Sequence, residues 1–156
     1  MTSDATPKTI LLKGCLDSQH TVEGEATSAI TPGHLILYGT STSELRVANV
    51  AATTEGQQRM FALENDVAPD GYNLGAAIDQ VYAVSDRVYG YIAQAGDHIY
   101  ALVNAGASAI VFGDLLESAL DGSLAKVASG LPVARALEAV DNSGGSAEAR
   151  IKVEVV

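Results

Sequence analysis

A chain of 156 residues with 47% hydrophobic content is long enough to bury a core and too apolar to stay disordered. A formal net charge of −10, with only 9 Lys and Arg, argues against a nucleic-acid partner, whose phosphates need neutralising, and against an anionic membrane surface. The single cysteine, Cys15, excludes an intramolecular disulfide framework and is expected as a buried or half-buried thiol.

Residues 1–8 are small and polar around Pro7 and read as a flexible arm, which we extend to residue 14. No basic stretch followed by an apolar one marks a signal peptide, so a protein made and used in a cytosol-like compartment, or leaving it by cell lysis, is expected. TILLKG (Thr9–Gly14) is a short apolar run stopped by Gly, most simply a strand that pairs late or with another chain. QHTVEGEAT (Gln19–Thr27) alternates weakly and suits an edge strand. Thr31-Pro32-Gly33 is a turn, because Pro presets φ and Gly accepts a positive one. His34–Tyr38 and Glu44–Ala48 follow as paired strands.

QQRMFALE (Gln57–Glu64) permits a helical turn or a strand, and its place in the sequence favours the strand. Residues 65–75 form a turn-rich loop, with Tyr72 placed to pin it. Asp79–Ala83 is a short strand or bridge. DRVYGYIA (Asp86–Ala93) and HIYALVN (His98–Asn104) both alternate, and the QAGD turn between them suggests a hairpin. The closing ARIKVEVV (Ala149–Val156) alternates Ile151, Val153 and Val155 against Lys152 and Glu154. The expected fold is mainly β: a small β-barrel or sandwich of short antiparallel strands, a flexible N-terminal arm, and at most one or two short helices.

One pattern recurs. ITPGHLILYGTSTSELRVA (Ile30–Ala48) and IVFGDLLESALDGSLAKVA (Ile110–Ala128) align with Gly33 over Gly113 and Val47 over Val127. Ala62–Glu64 then echoes Ala136–Glu138 after a shorter connection. A duplicated meander fits this pattern, and so does coincidence among common residues. The domain expectation is an arm over 1–14 and a β-rich domain over 15–156, with two packed units at about 15–70 and 80–156 as its possible subdivision.

Catalytic and metal chemistry find no assembled pattern. His20, His34 and His98 are scattered, without the close pairing of zinc ligands, and are expected at the surface or at strand edges. There is no Gly-x-Ser-x-Gly elbow, and NSGGSAEA (Asn142–Ala149) lacks the Lys-Ser/Thr of a phosphate loop. We expect no enzyme and no cofactor.

AGDHIYALVNAGASAIVFGDLLESALDGSLAKVA (Ala95–Ala128) and PVARALEAVDNSGGSAEARIKVEVV (Pro132–Val156) resemble bacteriophage capsid decoration (cement, or head-stabilising) proteins. The N-terminal half matches only through ITPGHLILYG. The resemblance implies a homotrimer on the exterior of an expanded icosahedral capsid, made in the host cytoplasm, that bridges neighbouring major capsid protein subunits. Thr9, Ile10, Leu11 and Leu12 would contact the capsid by adding a strand to a sheet edge. A small β-barrel enzyme, or a tail or adhesion module of the virion, are the alternatives.

Overall fold

The computed structural model describes residues 6–15, 20–49, 59–66 and 75–156, and its regular structure is almost entirely strand. Residues 1–5 of the expected arm, Gln19, Gln57, Gln58 and most of the 65–75 loop, with Tyr72, lie outside these residues.

β2 (Thr21–Ala26), β3 (Leu35–Tyr38), β4 (Glu44–Val47), β5 (Met60–Ala62) and β6 (Arg87–Ile92) close into a barrel in the order β2-β4-β3-β5-β6. A short 3-10 turn at Ala77–Asp79 precedes β6. A second sheet holds β1 (Leu11–Lys13), β7 (His98–Val103), β8 (Leu115–Ser118), β9 (Leu124–Lys126), β10 (Ala134–Ala136) and β11 (Ala149–Val155), ordered β1-β7-β11-β10-β8-β9. A parallel β7–β9 contact closes five of its six strands on themselves. Closure removes the open edges that short strands would otherwise leave for aggregation. The result is the β-rich barrel architecture expected from the strand pattern.

Both barrels use one set of pairings. β2 runs parallel to β4 as β7 does to β9, and every other pairing within each barrel is antiparallel. Ile36, Met60 and Ile92 stand side by side in the first, as Leu116, Ala134 and Val155 do in the second. Isolated bridges, Ile30 to Tyr82 and Ile110 to Val140, also correspond. The strand register departs from the simple sequence alignment at one place. Val47 pairs with Ile36, whereas Lys126 pairs with Leu116, so Val47 corresponds to Lys126 and not to Val127. The second β-turn is one residue shorter, and a one-residue slip turns each side chain to the other face.

Two expectations are corrected. β2 is flanked by β4 and β6 and is not an edge strand. β6 and β7 form no hairpin: β6 pairs with β2 and β5, and β7 with β1, β9 and β11. The QAGD turn carries the chain from one barrel into the next. Leu11–Lys13 is a strand, as the apolar run over Thr9–Gly14 suggests: β1 pairs with β7 of the same chain on the second sheet.

The cores explain the arrangement. Ala26, Ile30, Ile36, Leu45, Met60, Ala62, Tyr82 and Val88 fill the first barrel. Tyr82 donates from its hydroxyl to Leu63 O (3.1 Å) and Glu64 O (2.9 Å), which satisfies its polar tip inside that core. The second barrel's interior is continuous with Leu35, Phe61 and Tyr91, which point out of the first barrel. The corresponding positions on the second barrel are Leu115, Arg135 and Glu154, of which Leu115 and Arg135 are exposed. One outer face is thus apolar and packed, and its counterpart is polar and wet.

Candidate assembly surface

Four turns share one construction. Thr31–His34, Ala83–Asp86, Gln94–Asp97 and Val111–Asp114 each close with the fourth residue's N–H donating to the first residue's carbonyl, at 2.9–3.1 Å. In each, the fourth side chain accepts the first residue's N–H, at 2.7–3.1 Å. The third residue has positive φ: Gly33, Ser85, Gly96 and Gly113. The sequence signal is a Gly or Ser followed by Asp or His just before a strand, and only the Pro-Gly and Gly-Asp instances were legible as turns.

The first of these turns docks on the second barrel. Arg150 Nη1 donates to Pro32 O (3.0 Å), and its Nη2 donates to Ile78 O (2.5 Å). Its guanidinium also lies over the Tyr100 ring, 5.6 Å from the centroid. His34 Nδ1 accepts the Thr31 N–H, so the ring proton sits on Nε2, 2.8 Å from Glu148. The Leu35 N–H donates to Gly122 O (2.6 Å). Of the two places expected for it, surface or strand edge, His34 takes the second, buried just before β3; its partner lies 114 positions away and leaves no local trace in the sequence.

The N-terminal segment fills the seam between the barrels. Ile10 is fully buried, its N–H donates to Glu64, and its carbonyl accepts the Tyr100 N–H (2.7 Å). Leu11 and Leu12 are half-buried in β1, and Thr9 is exposed. The four residues expected at a capsid therefore separate: Ile10 is committed to the chain's own core, and Thr9 faces solvent. Cys15 is exposed and not buried; its N–H donates to the Tyr91 hydroxyl (3.3 Å), which donates in turn to Asp97 (2.6 Å). Burial, reinforced by the Asp97 bond, pushes the Tyr91 hydroxyl up to about 12.

The second barrel's matching turn is bare. Phe112 at its tip is 72% exposed, with Val111 and Leu115 exposed beside it. Asp114 is held below the usual carboxylate range by the Val111 N–H and by Lys126 at 2.9 Å. On the first barrel, Glu23, Gly24, Glu25, Ser43, Ser85 and Arg87 line an open pocket of about 350 Å³. Neither surface was legible as a site, because exposed Phe and a dispersed polar set carry no spacing motif. Among the described residues, no group of three or more His, Cys, Asp or Glu is placed to hold a metal.

The two Pro-Gly-like turns give a direct test of docking. A Cβ on Gly33 would lie 2.9 Å from Tyr100 O and 3.0 Å from Arg150 Nη1, whereas one on Gly113 would meet nothing within 4 Å. Gly113→Ala should cost only the positive-φ penalty, about 1–2 kcal/mol. Gly33→Ala should cost roughly 1–2 kcal/mol more, because backbone and a partly buried, hydrogen-bonded guanidinium must move. Urea unfolding of both variants measures this; equal losses would mean that the first turn is not seated.

No protein-family model matches the chain, and no curated protein does. Among solved structures it is similar to the head fiber gp8.5 N base of bacteriophage phi29, with a TM-score of 0.51 and 16% identity. The match covers 87% of this chain and 92% of that one. At this identity the likeness is one of fold, and it runs through both barrels.

Proposed function

We propose that the chain is a non-enzymatic structural protein of a bacteriophage virion that binds the outside of the expanded capsid, as a homotrimer, and bridges neighbouring major capsid protein subunits. The observation that carries this reading is the two-barrel fold, similar along most of both chains to the base of a phage head fiber. The decoration-protein phrasing of Ala95–Ala128 and Pro132–Val156 supports it independently. Internal pressure from packaged DNA pulls shell subunits apart. A protein that binds only the assembled lattice opposes this by mass action, and symmetry multiplies its weak contacts. Contact through the N-terminal segment falls to Thr9, the half-buried Leu11 and Leu12 and the residues before them, since Ile10 fills the seam.

Co-sedimentation with expanded shells of the cognate major capsid protein tests this. We expect saturation at a fixed ratio to capsid subunits and no binding to unexpanded shells. Deleting residues 1–8, which leaves Ile10 and β1 intact, should weaken binding. Failure of the full chain to pellet with intact expanded shells would sink the proposal.

A further inference from the structure

We propose that copies of this chain associate head to tail, the Val111–Asp114 turn of one copy seating in the Glu23–Arg87 pocket of the next. The contact deepens the self-association in the reading above and rests on it only there; it does not depend on a capsid.

The argument is one of correspondence. The Thr31–His34 turn is received on the second barrel by Tyr100, Gly122, Glu148 and Arg150. The shared register places Glu23, Ser43, Ser85 and Arg87 at the same positions on the first barrel. Glu23 follows Val22, opposite Gly90, as Tyr100 follows Ile99, opposite Val153. Arg87 and Arg150 stand three residues before Gly90 and Val153, and Ser85 and Glu148 two before each Arg. Ser43 and Gly122 stand two before Leu45 and Leu124, which take the parallel pairing. All four corresponding residues line the pocket. Of the four like turns, two therefore stand at corresponding places before β3 and β8, and the molecule contains two receiving surfaces at corresponding places to match. One turn and one surface engage each other within the chain, and the other of each faces outward.

The chemistry of the outward pair is complementary. Arg87 can donate to the Phe112 carbonyl, as Arg150 does to that of Pro32. Its side chain is 70% exposed and holds Glu23 at 2.9 Å, so the guanidinium is already steered across the pocket. The Leu115 N–H stands where the Leu35 N–H donates to Gly122, and the Ser43 carbonyl would take the place of the Gly122 one. Where His34 faces a carboxylate, Asp114 would face the Ser85 hydroxyl, so donor and acceptor exchange together. Phe112 replaces a buried Pro32 and would withdraw its exposed ring from water. Such an interface is heterologous: copies added in one direction close into a ring where the rotation between them closes, as the proposed trimer requires, and run on as a filament where it does not.

Sedimentation velocity of the full chain tests this at the highest soluble concentration. The wild type is expected to run as an oligomer. Phe112→Asp and Arg87→Glu are each expected to run as the 16.1 kDa monomer and, in dilute solution where association no longer adds to stability, to melt like the wild type, since both side chains are exposed. Mixing the two should restore a dimer, because the first retains an intact pocket and the second an intact turn. A monomeric wild type, variants that keep the wild-type mass, or a mixture that stays monomeric would each overturn the contact. An oligomer that does not pellet with shells sinks the decoration reading alone. A monomer that does pellet sinks the head-to-tail contact alone.

Discussion

Phe61→Ala is expected to destabilise the chain by about 4 kcal/mol, the cost of deleting a fully buried aromatic side chain and leaving a cavity. For a chain of this size that is a fall in Tm of roughly 8–16 °C. Phe61 is 0% exposed, points out of the first barrel, and lies between Leu35 and Tyr91 across the sheet. Its loss opens the seam and not a barrel interior. The core that runs from this face through the second barrel predicts a single unfolding transition in the wild type. In the variant the two barrels should melt apart, the first on its own interior cluster. Calorimetry reads both effects; a shift below about 3 °C would mean that the two barrels are not packed in solution.

Arg150→Ala is expected to cost about 3 kcal/mol, from two lost charge-assisted hydrogen bonds and the packing of the stem. The side chain is 16% exposed and reaches two backbone carbonyls on the first barrel, Pro32 O and Ile78 O. Arg150→Lys should recover less than half of this, because an ammonium on a flexible stem does not reproduce a planar fork and stacks less well on Tyr100. Asp79 Oδ1 lies 3.4 Å away but its side chain is 68% exposed, so Asp79→Ala should change stability by under roughly 0.5 kcal/mol. The three variants, compared by urea unfolding, separate the carbonyl contacts from the ion pair. A loss in Asp79→Ala equal to that in Arg150→Ala would reverse the assignment.

What was legible in the sequence was what local periodicity encodes. β11 alternates buried Ile151, Val153 and Val155 with half-exposed Lys152 and Glu154, and its strand could be read directly. The repeated phrase over Ile30–Ala48 and Ile110–Ala128 falls on β3–β4 and β8–β9, which occupy matching places in the two barrels. The Ala62 and Ala136 echo lies on corresponding strands β5 and β10. The one-residue slip at Val47 was hidden because Arg-Val-Ala and Lys-Val-Ala look alike while the turns before them differ in length. β6 was misassigned to a hairpin, yet it carried a usable signal. Tyr89 and Tyr91 oppose Val88 and Ile92, so both faces are apolar and each needs cover, unlike the solvent-facing side of β11. The seam itself could not be read: Ile10 looks like any residue of a short apolar run, and its partners Glu64 and Tyr100 lie far along the chain.

The pairing of β1 with β7 has a consequence for how the protein is made. β7 lies between β1 and β11, so the earliest strand and the latest flank the same neighbour. The first barrel has all its strands once Ile92 is synthesised, while Leu35, Phe61 and Tyr91 still lack the surface that will cover them. At about 5–20 residues per second, the nascent chain carries that bare face for roughly 3–13 s before Val155 is added. Throughout that interval Leu11–Lys13 has no completed sheet to join. The ribosome thus presents a finished half with one sticky side, and a chaperone that covers apolar surface during those seconds would guard against pairing between chains on one message.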